Sequence, residues 1–192
     1  SKLKSAPRVW IVLALSVILA VVFAIKTPTI GFWPTEILLT YFGLVMVVDL
    51  EHRLVMHPVS LGGLVLGLMI GIWQHGWIMT LAGGLAGFLI MLALYYLGIG
   101  FVRLIARKRG GIADDEEGIG FGDVILSGIM GIVLGWPGVV AGLALTILLG
   151  GIASLLVMIV LLIRKKYQSM TSIPYAPFIA LSTLILMLLV RP

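Results

Sequence analysis

Long apolar runs without a single charge constrain this chain more than any other feature. Trp77 to Val102 and Gly138 to Ile163 contain no Asp, Glu, Lys or Arg. Each is longer than the ~20 apolar residues that cross a bilayer as a helix. In hydrocarbon every backbone N–H and C=O must be paired within the protein, which leaves helices or a closed barrel. The runs are continuous and do not alternate with polar residues, which favours helices. Composition agrees: 61% of residues are hydrophobic and 11% are charged, against about 25% charged in soluble domains. The rival, a soluble all-α domain with a greasy core, would not need several runs of span length. The expected fold is all-α: a polytopic transmembrane helical bundle forming one domain over residues 1–192.

Seven helices are predicted: Val9–Ile25, Pro34–Val48, Pro58–Trp73, Trp77–Val102, Val124–Trp136, Gly138–Ile163 and Pro174–Val190. The fifth is short for a full crossing. Pro34, Pro58, Pro137 and Pro174 sit near helix starts, where a missing N–H costs nothing. The first run has no clear small-residue cleavage site and leads into further spans, so it is not read as a cleaved signal. Arg103 to Gly118 is read as a charged cytoplasmic loop.

Charge orients the bundle. With the N-terminus inside, the cytoplasmic side holds Lys2, Lys4, Arg8, Arg53, Arg103, Arg107, Lys108, Arg109, Arg164, Lys165 and Lys166. The outer side holds only Lys26 and Arg191. This is the distribution expected for cytoplasmic loops. Tight outer turns fall at Gln74-His75-Gly76 and Trp136-Pro137-Gly138, with Trp33, Trp73, Trp77 and Trp136 as an outer aromatic belt. The net charge of +5 sits at membrane boundaries, so its expected partner is anionic lipid and not nucleic acid. There are no cysteines, hence no disulfide and no thiolate metal site. No metal and no cofactor are expected.

In this topology two acids reach the same cytoplasmic edge. Asp49 ends the apolar run from Ile37, and Asp123 opens the next run after Gly120-Phe121-Gly122. An ionisable group at the edge of hydrocarbon is costly and marks a functional site by default. Carboxylates about 3 Å apart cannot both ionise easily, so one keeps a proton. Such a pair can run peptide hydrolysis: the ionised member takes a proton from water, and the neutral one donates a hydrogen bond to the scissile carbonyl. The glycines before Asp123 would let the backbone bend and a substrate strand approach. The plain alternatives are that Asp123 is only the N-cap of its helix and Asp49 only an interfacial acid, although an acid at a helix C-terminus opposes the dipole.

Three strings carry a resemblance. Glu117-Gly118-Ile119-Gly120-Phe121-Gly122-Asp123-Val124 resembles the signature of type IV prepilin peptidases, a GxGD family of intramembrane aspartyl proteases. Asp49-Leu50-Glu51-His52-Arg53-Leu54 is similar to the first aspartate segment of that family, and Ile173-Pro174-Tyr175-Ala176-Pro177-Phe178 to its late Pro-Phe-Gly-Pro segment. The resemblance implies Asp49 and Asp123 as the catalytic pair. It implies Gly120, Phe121, Gly122, Pro174, Tyr175 and Pro177 as substrate contacts. The implied substrate is a prepilin or pseudopilin, with a short basic leader before a hydrophobic helix. The implied place is the bacterial inner membrane, with the active site facing the cytoplasm. Asp114, Asp115, Glu116 and Glu117 would either attract the basic leader or form a solvated loop balancing Arg107-Lys108-Arg109.

The chain departs from the family pattern at particular positions. Val55-Met56-His57-Pro58 replaces Ile-Pro-Asn or Ile-Pro-Asp, Ile125 stands where lysine is usual, and Tyr175 and Ala176 replace Phe and Gly. Many relatives also methylate the new N-terminus and carry a four-cysteine zinc segment. None is present here, so no N-methyltransferase activity is expected, and the chain is read as a natural short form or as one lacking an N-terminal piece. His52 and His57 are five apart, off the spacing that suits a shared metal on a helix. Two rival functions stay open: a proton- or cation-coupled transport protein using intramembrane carboxylates, and a catalytically dead scaffold that gathers pilin subunits. The GxGD glycines together with the Pro-Tyr-Ala-Pro segment favour the peptidase, since a proton relay requires neither.

Overall fold

The computed structural model describes residues 31–52, 57–109, 120–163 and 175–189. Within them are five helices and no strands: α1 (Phe32–His52), α2 (His57–Arg109), α3 (Phe121–Leu134), α4 (Gly138–Ile163) and α5 (Ala176–Leu189). The expected helix at Val9–Ile25 lies outside the described residues. The expected third and fourth helices are the two arms of α2, which breaks at Gly76 with φ 74° and ψ 165°. That positive φ is open to glycine and strained for other residues. The three-residue outer loop expected at Gln74-His75-Gly76 is therefore a break at one residue. The charged loop expected from Arg103 also needs correction, because α2 continues to Arg109. Leu104, Ala106, Arg107 and Lys108 are good helix formers, and no breaker intervenes before Gly110.

The arms of α2 straddle α3. On the first arm, a Cβ at Gly67 would touch Ile132 and Val133, and one at Gly71 would meet the Ile132 carbonyl. On the second arm, Cβ atoms at Gly83 and Gly87 would run into the carbonyls of Gly131 and Ser127. Helix packing in a bilayer gains nothing from hydrophobic exclusion of water, so close backbone approach at small residues takes over that role. As a result α3 is enclosed: every residue from Val124 to Val133 except Ile125 is buried.

At its far end α3 stops at Gly135 (φ 66°), whose N–H bonds to the Gly131 carbonyl at 2.9 Å and which packs under the His75 ring. Trp136 N–H then reaches the Met79 carbonyl at 3.0 Å, pinning this turn to α2 just past its break. The Trp136–Pro137 peptide bond is cis. From there α4 returns along α3, since a Cβ at Gly142 would touch Leu134 and Met130. It buries only Val139, Gly142, Leu143, Thr146 and Gly150, a narrow stripe at helical spacing. The rest of α4, including Ile147, Leu148, Ile152, Leu155, Ile159 and Ile163, is exposed and apolar. A surface of that size and character matches hydrocarbon better than water.

Helix α5 runs back along α4, with Thr146 Oγ1 2.5 Å from Ser182 Oγ and Gly150 against Tyr175. Helices α3 and α5 are therefore parallel. Phe42, Leu38 and Val45 of α1 share one core with Leu126, Ile129 and Met130 of α3 and with Ile179, Ala180 and Leu184 of α5. Helix α4 and the stretch Val59–Phe101 of α2 are long and apolar enough to cross a membrane, while α1, α3 and α5 carry shorter apolar stretches.

Candidate active site

Asp49 lies in the last turn of α1 and Asp123 in the first turn of α3. Each carboxylate residue is only 7% exposed, and the charge of Asp49 acts on Asp123. The structure thus brings together the two acids expected to pair.

The start of α3 differs in detail from expectation. The helix begins at Phe121, three residues earlier than expected, and Gly120 is its N-cap. Asp123 is the third helical residue, so the reading of Asp123 as the N-cap itself is replaced. Its Oδ2 still accepts the Gly120 N–H at 3.3 Å, and its own N–H donates to the Gly120 carbonyl at 3.0 Å. The side chain is thereby held over the helix start, within electrostatic reach of Asp49. The expected bend is also corrected. Gly120 has φ −74° and ψ 147°, a conformation open to any residue. A Cβ there would make ordinary contact with Asp123 Oδ2 at 3.7 Å. What Gly120 contributes is a bare approach to that carboxylate.

The other expected contacts are arranged around this end. Gly120 and Phe121 are exposed and Gly122 is half-buried. The Phe121 ring meets the Tyr95 ring edge-on at 6.1 Å. Tyr175 and Pro177 stand half-buried at the head of α5. Pro174 and the acids Asp114, Asp115, Glu116 and Glu117 lie outside the described residues.

Register places Tyr175 at the same end of the bundle as Asp123. Ser182 Oγ reaches Met130 Sδ at 3.7 Å, which sets one level shared by α3 and α5. Asp123 precedes Met130 by seven residues, and Tyr175 precedes Ser182 by seven. Seven residues are nearly two turns, about 10 Å of rise, and return to almost the same face. Along the parallel α3 and α5 the two residues therefore come to a similar height, and the charge of Asp123 acts on the Tyr175 phenol.

Sequence reading named Tyr175 by resemblance and missed this neighbour relation, whose signal was the equal seven-residue spacing. It also missed Ser127, fully buried one turn beyond Asp123, whose Oγ has no hydrogen-bond partner among the described residues. The i, i+4 spacing from Asp123 was the available cue. An apolar groove of about 350 Å³ opens between both arms of α2 and α3, lined by Ser60, Leu64, Gly84, Phe88, Ile125 and Ile129 among others. Its α3 wall starts two residues after Asp123. Among the described residues no group of three or more His, Cys, Asp or Glu could hold a metal ion.

Comparison with known proteins points one way. The sequence model of the type IV leader peptidase family matches residues 36–155, which include both aspartates. A prepilin leader peptidase/N-methyltransferase of Stutzerimonas stutzeri is 31% identical over 151 residues, covering 76% of this chain and 46% of the relative. One of Aeromonas salmonicida (strain A449) is 30% identical over 174 residues, covering 88% and 53%. One of Aeromonas hydrophila is 27% identical over 139 residues, covering 70% and 42%. The chain spans about half the length of these curated relatives. No solved structure matches. The chain belongs to the type IV leader peptidase family.

Proposed function

We propose that this member of the type IV leader peptidase family is an aspartyl endopeptidase of the bacterial inner membrane that cleaves the leaders of type IV prepilin-like precursors. Asp49 and Asp123 share the acid and base roles. The observation that carries the reading is that two buried carboxylates from different helices come to one end of an apolar bundle, where the charge of Asp49 acts on Asp123. One proton held between them gives an ionised base and a neutral donor from identical side chains.

The remaining geometry supports the same reading. The apolar groove begins beside the Asp123 turn and follows α3 to Ile132, about 10 Å further. It suits the hydrophobic segment that follows a leader. The positive-inside distribution puts the aspartate end at the cytoplasmic face. Trp33, Trp73, Trp77 and Trp136 are all exposed and belong to the opposite end, where tryptophan marks the other interface. A seven-helix bundle with a cytoplasmic N-terminus completes the proposed topology. The transport alternative uses the same acids but has no need of the groove beside them.

The test is cleavage of a purified prepilin by the purified chain in lipid, with each aspartate intact or changed to asparagine. Loss of cleavage in both variants supports the reading. Full cleavage by either one rejects it.

A further inference from the structure

Three helical segments share one level at the outer end of the bundle and not at the aspartate end. The Trp136 N–H bonds to the Met79 carbonyl at 3.0 Å, which pins the end of α3 beside the break of α2. Helix α4 starts there too, at Gly138. From this level α3 has only 14 residues, about 20 Å. The second arm of α2 carries no charge from Trp77 to Phe101, nor α4 from Gly138 to Ile163, about 36 and 38 Å. The two long segments span the ~30 Å of hydrocarbon even when tilted, and α3 stops about 10 Å short.

The packing shows the same step. A Cβ at Gly87 would meet the Ser127 carbonyl, and Asp123 lies one turn on from Ser127. On the antiparallel second arm that height falls near Met91, about 15 Å before Phe101. On α4 the last buried residue is Gly150, which meets Tyr175 at the head of α5. No residue from Gly151 to Ile163 is buried, so α4 runs on about 20 Å past that contact. Leu155, Leu156, Val157 and Met158 point to successive sides of the helix and are all exposed. Gly98 and Gly100 of the second arm have open space around them, and Leu97 and Phe101 are exposed. Helix surface that is apolar on every side belongs in lipid.

Ionisable residues stand at the lower level. Asp49, Glu51 and His52 fall in the last turn of α1 and Asp123 in the first turn of α3, at a height where the second arm and α4 are bare of charge. A charge held in hydrocarbon is costly. Water must therefore reach a height at which lipid surrounds the two longer segments.

We infer that the leaflet on the aspartate side rests against two lipid-contacting posts, the second arm of α2 and the C-terminal half of α4, and is thinned beside them over the heads of α3 and α5 into a recess that carries water to Asp49 and Asp123. This rests on the membrane placement in the proposed function and needs no catalytic step. A polar leader can follow the same water down to the pair, while the hydrophobic segment behind it stays in lipid.

The chain has no cysteine, so single cysteines can carry a nitroxide spin label in the full chain in phospholipid vesicles. Leu97→Cys and Ile159→Cys place the label on the posts, and Gly120→Cys and Phe121→Cys place it at the floor. Power saturation compares access of oxygen, which concentrates in lipid, with access of a water-soluble nickel chelate. The post labels are expected to be dominated by oxygen. The floor labels are expected to have several-fold greater nickel access, although they lie farther from the nearer headgroups. Nickel-dominated post labels overturn the inference, because the posts then stand outside lipid. Either floor label dominated by oxygen, or closed to both reagents, also overturns it. Cleavage of a prepilin by the unlabelled wild-type chain is measured separately. No cleavage beside a hydrated floor removes the peptidase reading and leaves the recess. A dry floor beside full cleavage removes only the recess.

Discussion

Asp49, in the last turn of α1, and Asp123, in the first turn of α3, are both buried and lie within electrostatic reach of each other although more than seventy residues separate them in sequence. The two helices enter the shared core through Phe42 and Val45 on one side and Leu126 and Met130 on the other. That packing fixes where their ends meet. Burial of two acids at one point costs stability in both, which selection tolerates where the pair performs chemistry.

Replacing either acid tests the pair directly. Asp49→Asn and Asp123→Asn are each expected to lower cleavage by roughly 10³-fold or more, since one variant lacks the base and the other its partner. Both should still insert and fold, because asparagine keeps the shape and removes a buried charge. Glu51→Gln, two residues along α1, should retain most of the wild-type rate and serves as the control.

The pH profile follows from a pair that must hold one proton. As pH falls, the ionised carboxylate takes up a second proton and the base is lost. As pH rises, the shared proton leaves and the donor is lost. The rate should therefore fall on both sides of an optimum, reporting two macroscopic values that belong to the pair. A rate flat from acid to strongly alkaline pH would contradict the carboxylate mechanism.

Much of this arrangement was legible in the chain. The apolar runs located α1, α3, α4 and α5 to within a few residues, because hydrocarbon forces continuous helical pairing. Loop charge brought Asp49 and Asp123 to one face before any packing was known. Other features depend on backbone geometry that composition does not encode. The break of α2 is confined to Gly76 because one positive φ suffices to turn the hairpin. Residues Arg103–Arg109 stay helical although charged, since arginine, lysine, leucine and alanine are good helix formers. The glycines of α2 read only as small residues, yet Gly83 and Gly87 are where its second arm touches the α3 backbone.

That seam gives a structural prediction. A Cβ at Gly83 would strike the Gly131 carbonyl and come within 2.6 Å of Gly135 C. These are backbone atoms that cannot rotate away. Gly83→Val is expected to cost at least about 1–3 kcal/mol and to lower the thermal midpoint in lipid. Gly98→Val, on the same helix with open space around it, should cost far less. Equal midpoints for the two variants would refute the seam.

The groove can be filled without touching the aspartates. Leu64 lines it and is 42% exposed. Leu64→Trp adds bulk where the hydrophobic segment of the substrate is proposed to lie. The expected result is a rise in KM of about tenfold, with kcat changed less than twofold. A fall in kcat with KM unchanged would assign the groove another role.

The acidic run Asp114-Asp115-Glu116-Glu117 lies outside the described residues, and its proposed role rests on charge alone. A basic leader on the cytoplasmic side would meet four acids just before the turn that carries Asp123. Exposed ion pairs contribute roughly 0–1 kcal/mol each, so a single substitution should do little and the cluster should act together. Changing Asp114, Asp115 and Glu116 to their amides in one protein is expected to raise KM several-fold at low salt, with kcat nearly constant. The difference should shrink as salt rises, because screening acts over about 10 Å at 0.1 M. An unchanged KM at low salt would leave these acids as counter-charges to Arg107, Lys108 and Arg109.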